Sequence, residues 1–419
     1  MDIFFDILLI IISSFCFYKS YNTIIFEKNK SIANYLILVI YLFCIFPIMC
    51  DYIFGKPKYT GVYWYQPFIA PMNNSTITII YDIYIISTIV LLYIYSIHIQ
   101  KNNIAKENKK IFEINIKNNL LIWLSIFLPI IYILITGNLN KYFIYASTET
   151  RGLTSSFSFV MNSLLLISLF FFFSSFFSKN KKNYFILIIY SLLIIWISGK
   201  RFMIANITII YFFYITQSNL NIRQRKIIYF LIPISVLCIF IFSTFYLIYI
   251  KPLSVQTFDN IYSMLRVDFG RDEVIKYIIN EIIINGNQIL DYPGQSIIAI
   301  FTFFIPRSIW INKPLPHYNY LTASILNIPI TQINAGTTPS WYEMCLANFG
   351  VIGFFIACIS LVLFCAIIDK YDNLTLKSLG FTLLFVLITQ STDAYLIVII
   401  MFIFCILIKK LFRKIKVII

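Results

Sequence analysis

Charge is scarce in this sequence. Of 419 residues only 12% are Asp, Glu, Lys or Arg, about half the ~25% usual in a soluble chain. With 60% hydrophobic residues and a mean hydropathy of +0.83, a water-facing globule of this size could not cover its surface. Histidine occurs twice, and the eight cysteines (16, 44, 50, 238, 345, 358, 365 and 405) form no C-x-x-C and lie in or beside apolar runs. A zinc or haem site therefore has almost no ligands, no cofactor is expected, and the cysteines read as small core residues. There is no Walker loop, no G-x-G-x-x-G, no internal repeat and no glycine-rich linker. Asp2 and Asp6 stand where a signal peptide carries Lys or Arg, and no A-x-A site follows, so residues 2–18 are expected to stay attached as a first span. These shortages exclude the soluble enzyme folds, a disordered tail and a nucleic-acid partner for the +15 net charge.

What is present is a series of long apolar runs: about 2–18, 31–50, 76–97, 118–137, 156–178, 184–198, 202–217, 227–250, 344–368, 378–390 and 394–408. Lipid satisfies no backbone donor or acceptor, and no run alternates as a barrel strand does, so the spans must be helices. The expected fold is an all-α polytopic integral membrane protein with about eleven transmembrane helices (ten to twelve). It carries one large extracytoplasmic loop containing amphipathic and re-entrant helices. Gln390-Ser391-Thr392-Asp393 predicts a hairpin between the last two spans. Lys and Arg set the orientation: one set of short loops holds 21 and the opposite set 6. The positive-inside rule then places the N-terminus outside and the C-terminus in the cytoplasm. The expected division is 1–250 (eight spans), 251–343 (the large outer loop, with the site) and 344–419 (three spans and the cytoplasmic tail).

Arginine departs from the lysine trend. Five of eight arginines (151, 201, 266, 271, 307) fall outside, against seven of 25 lysines. The guanidinium is a rigid fork that grips phosphate or carboxylate at two points, so an outward set beside the membrane points to an anionic ligand there. Any one of them read alone is more often a solvated loop charge. Lys200 and Arg201 sit together at a hairpin tip on the disfavoured side, facing either lipid headgroups or a bound phosphate.

Within the large loop, 257–284 has helical spacing interrupted by Gly270. Its charges fit a solvated amphipathic helix with i,i+4 pairs such as Asp272–Lys276. Arg266 and Arg271 remain binding candidates, and Asp268 could equally pair with them locally. The apolar run 295–305 is too short to cross. Pro306 should end its helix and deliver Arg307 at headgroup depth, with Trp310 at the interface. Lys313 and His317 follow in a proline-stiffened stretch, where a lone histidine is more often merely exposed. Glu343 enters the span boundary with no cation nearby in sequence; it is either a general base or the ion-pair partner of an outer arginine. Asp393 is a weaker case of the same kind.

Several of these features occur together in a known family. Arg201 after an apolar span, the large penultimate loop, Y-P-G…P-R-S-I-W-x-x-K-P at 292–314 and G-T-T-P-S-W-Y-E…N-F-G at 336–350 resemble bacterial O-antigen polymerases of the Wzy type. These belong to the wider group of oligosaccharide repeat-unit polymerases. The layout is similar over the whole chain and the motifs over about 292–353. The resemblance implies a glycosyltransferase of the bacterial inner membrane that polymerises undecaprenyl-pyrophosphate-linked oligosaccharide units into O-antigen or capsular polysaccharide at the periplasmic face. The growing chain moves onto the newest unit and undecaprenyl pyrophosphate is released, without a nucleotide sugar. Its partners would be the lipid-linked donor and acceptor, membrane lipids and, as an optional one, a chain-length regulator protein.

On that reading Arg201, Arg266, Arg271 and Arg307 are candidates to clamp the pyrophosphate, helped by Lys200 and Lys313. Glu343 or His317 would take the proton from the attacking hydroxyl. Two rivals stand beside it. An O-antigen ligase would differ only in acceptor. A flippase for lipid-linked oligosaccharide should carry ionisable groups near the bilayer centre, where this sequence has few.

Overall fold

The computed structural model describes residues 2–27, 30–104, 119–137, 142, 155–178, 184–199, 201–218, 221–245, 248–249, 258, 260–333, 336–390 and 396–407. Every regular element among them is helical. In chain order these are α1 (Asp2–Phe26), α2 (Ile32–Phe54), α3 (Ile69–Asn73), α4 (Ser75–Ile104), α5 (Asn119–Ile135), α6 (Ser155–Ser178), α7 (Tyr184–Ser198), α8 (Arg201–Gln217) and α9 (Ile222–Phe245). They continue with α10 (Ile261–Phe269), α11 (Asp272–Ile279), α12 (Gln295–Phe301), α13 (His317–Leu326), α14 (Trp341–Phe349), α15 (Ile352–Asp369), α16 (Leu374–Thr389) and α17 (Leu396–Leu407). Six helices, α1, α2, α4, α6, α9 and α15, are long and apolar enough to cross a membrane, and five apolar helices are shorter. The chain is thus an all-helical polytopic membrane protein.

Two compact units make up the chain. One comprises Met1–Glu107, Ile222–Asp369 and Leu383–Leu396; the other comprises Asn108–Asn221, Lys370–Thr382 and Ile397–Ile419. In the second unit the packing is aromatic. Phe172 stacks on Tyr190 with centroids 3.8 Å apart, Tyr190 bonds Ser168, and the Ser168 hydroxyl donates to the Ile126 carbonyl at 2.7 Å.

The first unit holds the candidate site, and a proline in α2 organises it. Pro47 has no N–H to give the Phe43 carbonyl one turn earlier, and the helix widens into a π turn over Tyr41–Ile45. The released carbonyls are used by other segments. Phe43 accepts the Arg271 backbone N–H at 2.9 Å, and Cys44 accepts the Tyr81 hydroxyl at 2.6 Å. The irregularity in α2 thereby fixes the start of α11 and a turn of α4.

Helix α9 is nearly all lipid-compatible surface, with only 6% of its apolar stretch buried. Its attachment is polar: Arg225 Nη1 donates to the Ile25 carbonyl at 2.7 Å and Tyr21 to the Tyr229 carbonyl at 2.6 Å. The arginine thus satisfies a carbonyl at the C-terminus of α1, where a cation also favours the helix dipole.

Three expectations need correction. The run 344–368 is not one helix, because Gly350 at φ +56° ends α14, and α15 folds back so closely that a Cβ on Gly353 would lie 2.3 Å from the Cys345 carbonyl oxygen. The apolar run 295–305 is helical only to Phe301, and turns carry it to Pro306, which starts a turn instead of ending a helix. The stretch 257–284 is helical over 261–269 and 272–279, as its spacing predicts, and runs on as a π turn over Asn280–Ile284, but α11 is buried at every residue instead of solvated. The hairpin at Ser391–Asp393 lies outside the described residues.

Candidate functional site

Buried charge concentrates where α10 and α11 meet α2. Asn260 caps α10 by accepting the Ser263 N–H at 2.7 Å, and the helix runs to Gly270. Glycine is required there because a Cβ would stand 1.8 Å from Arg266 Nη1. Asp272 and Glu273 open α11 and Lys276 lies near its end, an order that suits the helix dipole. Arg266, 2% exposed, lies between two carboxylates. Its Nε and Nη2 donate to Asp51 at 3.1 and 3.0 Å, and its Nη1 and Nη2 donate to Asp272 at 2.7 and 2.6 Å. Glu273 Oε1 stands 3.5 Å from Nη1 and accepts the Tyr59 hydroxyl at 2.6 Å.

The electrostatics follow from this geometry. Burial opposes the charge on Arg266, but Asp272, Glu273 and Asp51 outweigh it and hold the guanidinium firmly protonated. Burial likewise opposes ionisation of Asp272, yet Arg266 and Lys276 keep its carboxyl below the usual range. Glu273 goes the other way: burial, reinforced by Asp272, exceeds the pull of Arg266 and lifts it to about 7. Two bidentate pairs occupy the fork of Arg266, so in this arrangement the guanidinium holds the fold together and offers no free face to a pyrophosphate.

A second polar group forms where the segments 292–296 and 340–350 meet. The Ser296 N–H donates to Asn348 Oδ1 at 3.2 Å, and its hydroxyl lies 2.8 Å from His317 Nδ1. All three residues are buried. His317 opens α13 and is fully covered, not an exposed loop histidine; burial pushes its imidazole down to about 4, and its Nε2 has no hydrogen-bond partner. Glu343 is the third residue of α14 and closes a capping box: its Oε2 accepts both the backbone N–H (2.7 Å) and the hydroxyl of Ser340. The other oxygen is buried without a partner. Burial lifts this carboxyl to about 7 against the lowering effect of those hydrogen bonds, with Arg271 the cation whose field reaches it. His317 and Glu343 share no hydrogen bond. In front of Asn348 an open cleft of about 400 Å³ is lined by Asn287, Leu290, Tyr292, Pro293, Asn348 and Gly350, among others.

Arg307 and Lys313 face each other across a turn. Arg307 is exposed and donates to the carbonyls of Lys313 (2.8 Å) and Pro314 (3.2 Å), while Lys313 Nζ donates to those of Phe303 (2.9 Å) and Ile305 (3.0 Å). Desolvation and then Arg307 lower the lysine. Around them Phe301, Phe304, Ile309 and Ile311 are 68–81% exposed. Arg201 opens α8 in the other unit; its side chain, that of Asp268, and Lys200 and Asp393 lie outside the described residues.

Sequence reasoning missed Asp51, Tyr59 and Ser296, and gave Asn348 no role beyond its place in the N-F-G motif; their roles depend on contacts between segments about 50 to 215 residues apart. It read Asp6 only as an argument against a signal peptide and passed over Asp82, although a lone acid inside an apolar run is itself a signal. Among the described residues no group of three or more His, Cys, Asp or Glu could hold a metal ion. The chain matches no protein-family profile, and neither a curated protein nor a solved structure is similar to it at a significant level.

Proposed function

We propose that the chain is a membrane glycosyltransferase of the O-antigen polymerase type. It would join undecaprenyl-pyrophosphate-linked oligosaccharide units at the periplasmic face of the bacterial inner membrane. The observation that carries this reading is convergence: Tyr292 and Pro293 of one family-like segment and Asn348 and Gly350 of the other line the same cleft. A hydrogen bond from Ser296 to Asn348 ties the two segments directly behind it.

In the reaction, a hydroxyl of the acceptor sugar attacks the anomeric carbon of the donor and the bond to the pyrophosphate oxygen breaks. Charge grows on the pyrophosphate, and Arg307 with Lys313, presented beside exposed apolar side chains, is the cation pair suited to meet it at the membrane surface. Arg271 remains in the proposed clamp, whereas Arg266 acts by holding the loop to α2; Arg201 and Lys200 are proposed for phosphate binding from the sequence alone. Glu343, lifted to about 7, is better matched than His317 to accept the hydroxyl proton near neutrality. A flippase is the second reading, favoured by the buried acids Asp6 and Asp82 within α1 and α4.

A gel of surface polysaccharide from a deletion strain and its complemented partner tests the proposal. Loss of the ladder with survival of the single-unit band is expected of a polymerase. Loss of both bands would mean flippase or ligase.

A further inference from the structure

Asp6 of α1 and Asp82 of α4 form a pair whose chemistry is incomplete as two carboxylates. Asp82 is 0% exposed and Asp6 8%, and their carboxyls lie within hydrogen-bonding reach of each other. The Tyr52 hydroxyl of α2 donates to Asp6 Oδ2 at 2.6 Å. Asp6 Oδ1 and both oxygens of Asp82 are buried with no partner. Two ionised carboxylates cannot donate to one another, and like charges at that separation in a desolvated site oppose joint ionisation.

The cations nearby bond other groups. Lys276 reaches the pair with its field, but its Nζ stands 3.8 Å from Asp272 and 5.0 Å from the Tyr81 ring centroid. Lys56 also reaches Asp6 with its field, but its Nζ gives its hydrogen bond to the Met72 carbonyl at 2.8 Å. Tyr52, Tyr81, Asp2 and Asp272 are the other titratable groups in electrostatic reach, and none of them brings a positive charge. Asp6 Oδ1 and the two Asp82 oxygens accept no hydrogen bond from either lysine.

We infer that Asp6 and Asp82 are a proton-binding site within the membrane-spanning helices, holding one proton between their facing carboxyls. The proton supplies the donor that the orphaned oxygens lack, and it fastens α1 to α4 and, through Tyr52, to α2. Loss of the proton leaves two facing negative charges and loosens that junction. The inference does not depend on the polymerase reading, since a transferase and a flippase would both contain the site.

The test is infrared spectroscopy of the purified full-length protein, unlabelled and ¹³C-labelled at aspartate or glutamate. At neutral pH a protonated-carboxyl band that moves with the aspartate label, stays with the glutamate label and is lost in Asp82→Asn and Asp6→Asn is expected. Potentiometric titration of the same variants should show one proton fewer per chain. Absence of an aspartate carboxyl band from the wild-type protein would overturn the proposal without relying on any variant. So would removal of the band by sodium but not potassium at fixed pH, which would make the site one for a metal cation.

Discussion

Arg266 and Asp272, six residues apart and separated by Gly270, are joined by two hydrogen bonds of 2.7 and 2.6 Å with both side chains out of solvent. The same guanidinium reaches Asp51 at the end of α2. A contact local in sequence is thereby converted into one that spans 215 residues and anchors the large loop to the first helices.

Breaking that junction should be costly. Arg266→Ala strands two buried carboxylates, and removing one partner of such a network costs about 3–5 kcal/mol. Gly270→Ala should act in the same direction, because its Cβ would occupy the place of Nη1. Thermal unfolding in detergent micelles should show both variants well below wild type; a Gly270→Ala protein as stable as wild type would contradict the tight approach.

His317 gives stability a pH dependence. Its folded-state value of about 4 lies below the ordinary 6.5, so the unfolded chain binds the proton more readily in between. Its contribution is complete above about 6.5, falls as pH drops towards 4, and totals about 3 kcal/mol at most. Comparing the pH dependence of unfolding in wild type and His317→Gln should show that part of the slope vanish.

Glu343 works with the opposite sign. Raised from 4.5 to about 7, its carboxyl favours the folded state at low pH, and that favour is lost as pH rises through this window. Glu343→Gln should gain on wild type above pH 7. Ser340→Ala, which removes the cap hydroxyl, should cost about 1 kcal/mol. On the proposed function, Glu343→Gln also loses polymerisation while the protein remains in the membrane.

Arg307 separates function from fold. The side chain is exposed, so Arg307→Ala should change stability by no more than about 0.5 kcal/mol, yet polymerisation should fall at least tenfold, about 1.4 kcal/mol of binding. Arg201→Ala should also lower polymerisation. Arg307→Lys should also be impaired, since an ammonium cannot make the forked contact. Full-length polysaccharide from both alanine variants would refute the clamp.

Apolar run length and the shortage of charge were enough to read an all-helical membrane protein, because in lipid a backbone can satisfy itself only as a helix or a closed barrel. The spacing of 257–284 likewise disclosed α10 and α11 and their break at Gly270, because periodicity is a local property. Burial is not local. Nothing in the charges of α11 distinguishes a solvated face from a helix covered on every side, so only the tertiary structure decided that Arg266 is engaged by Asp51 and Asp272. The same holds for His317, whose proline-rich neighbourhood reads as exposed until Ser296 packs against it, and for Asp6 and Asp82. Sequence records each of those acids as an isolated flaw in an apolar run; their approach to one another exists only once α1 and α4 are packed side by side.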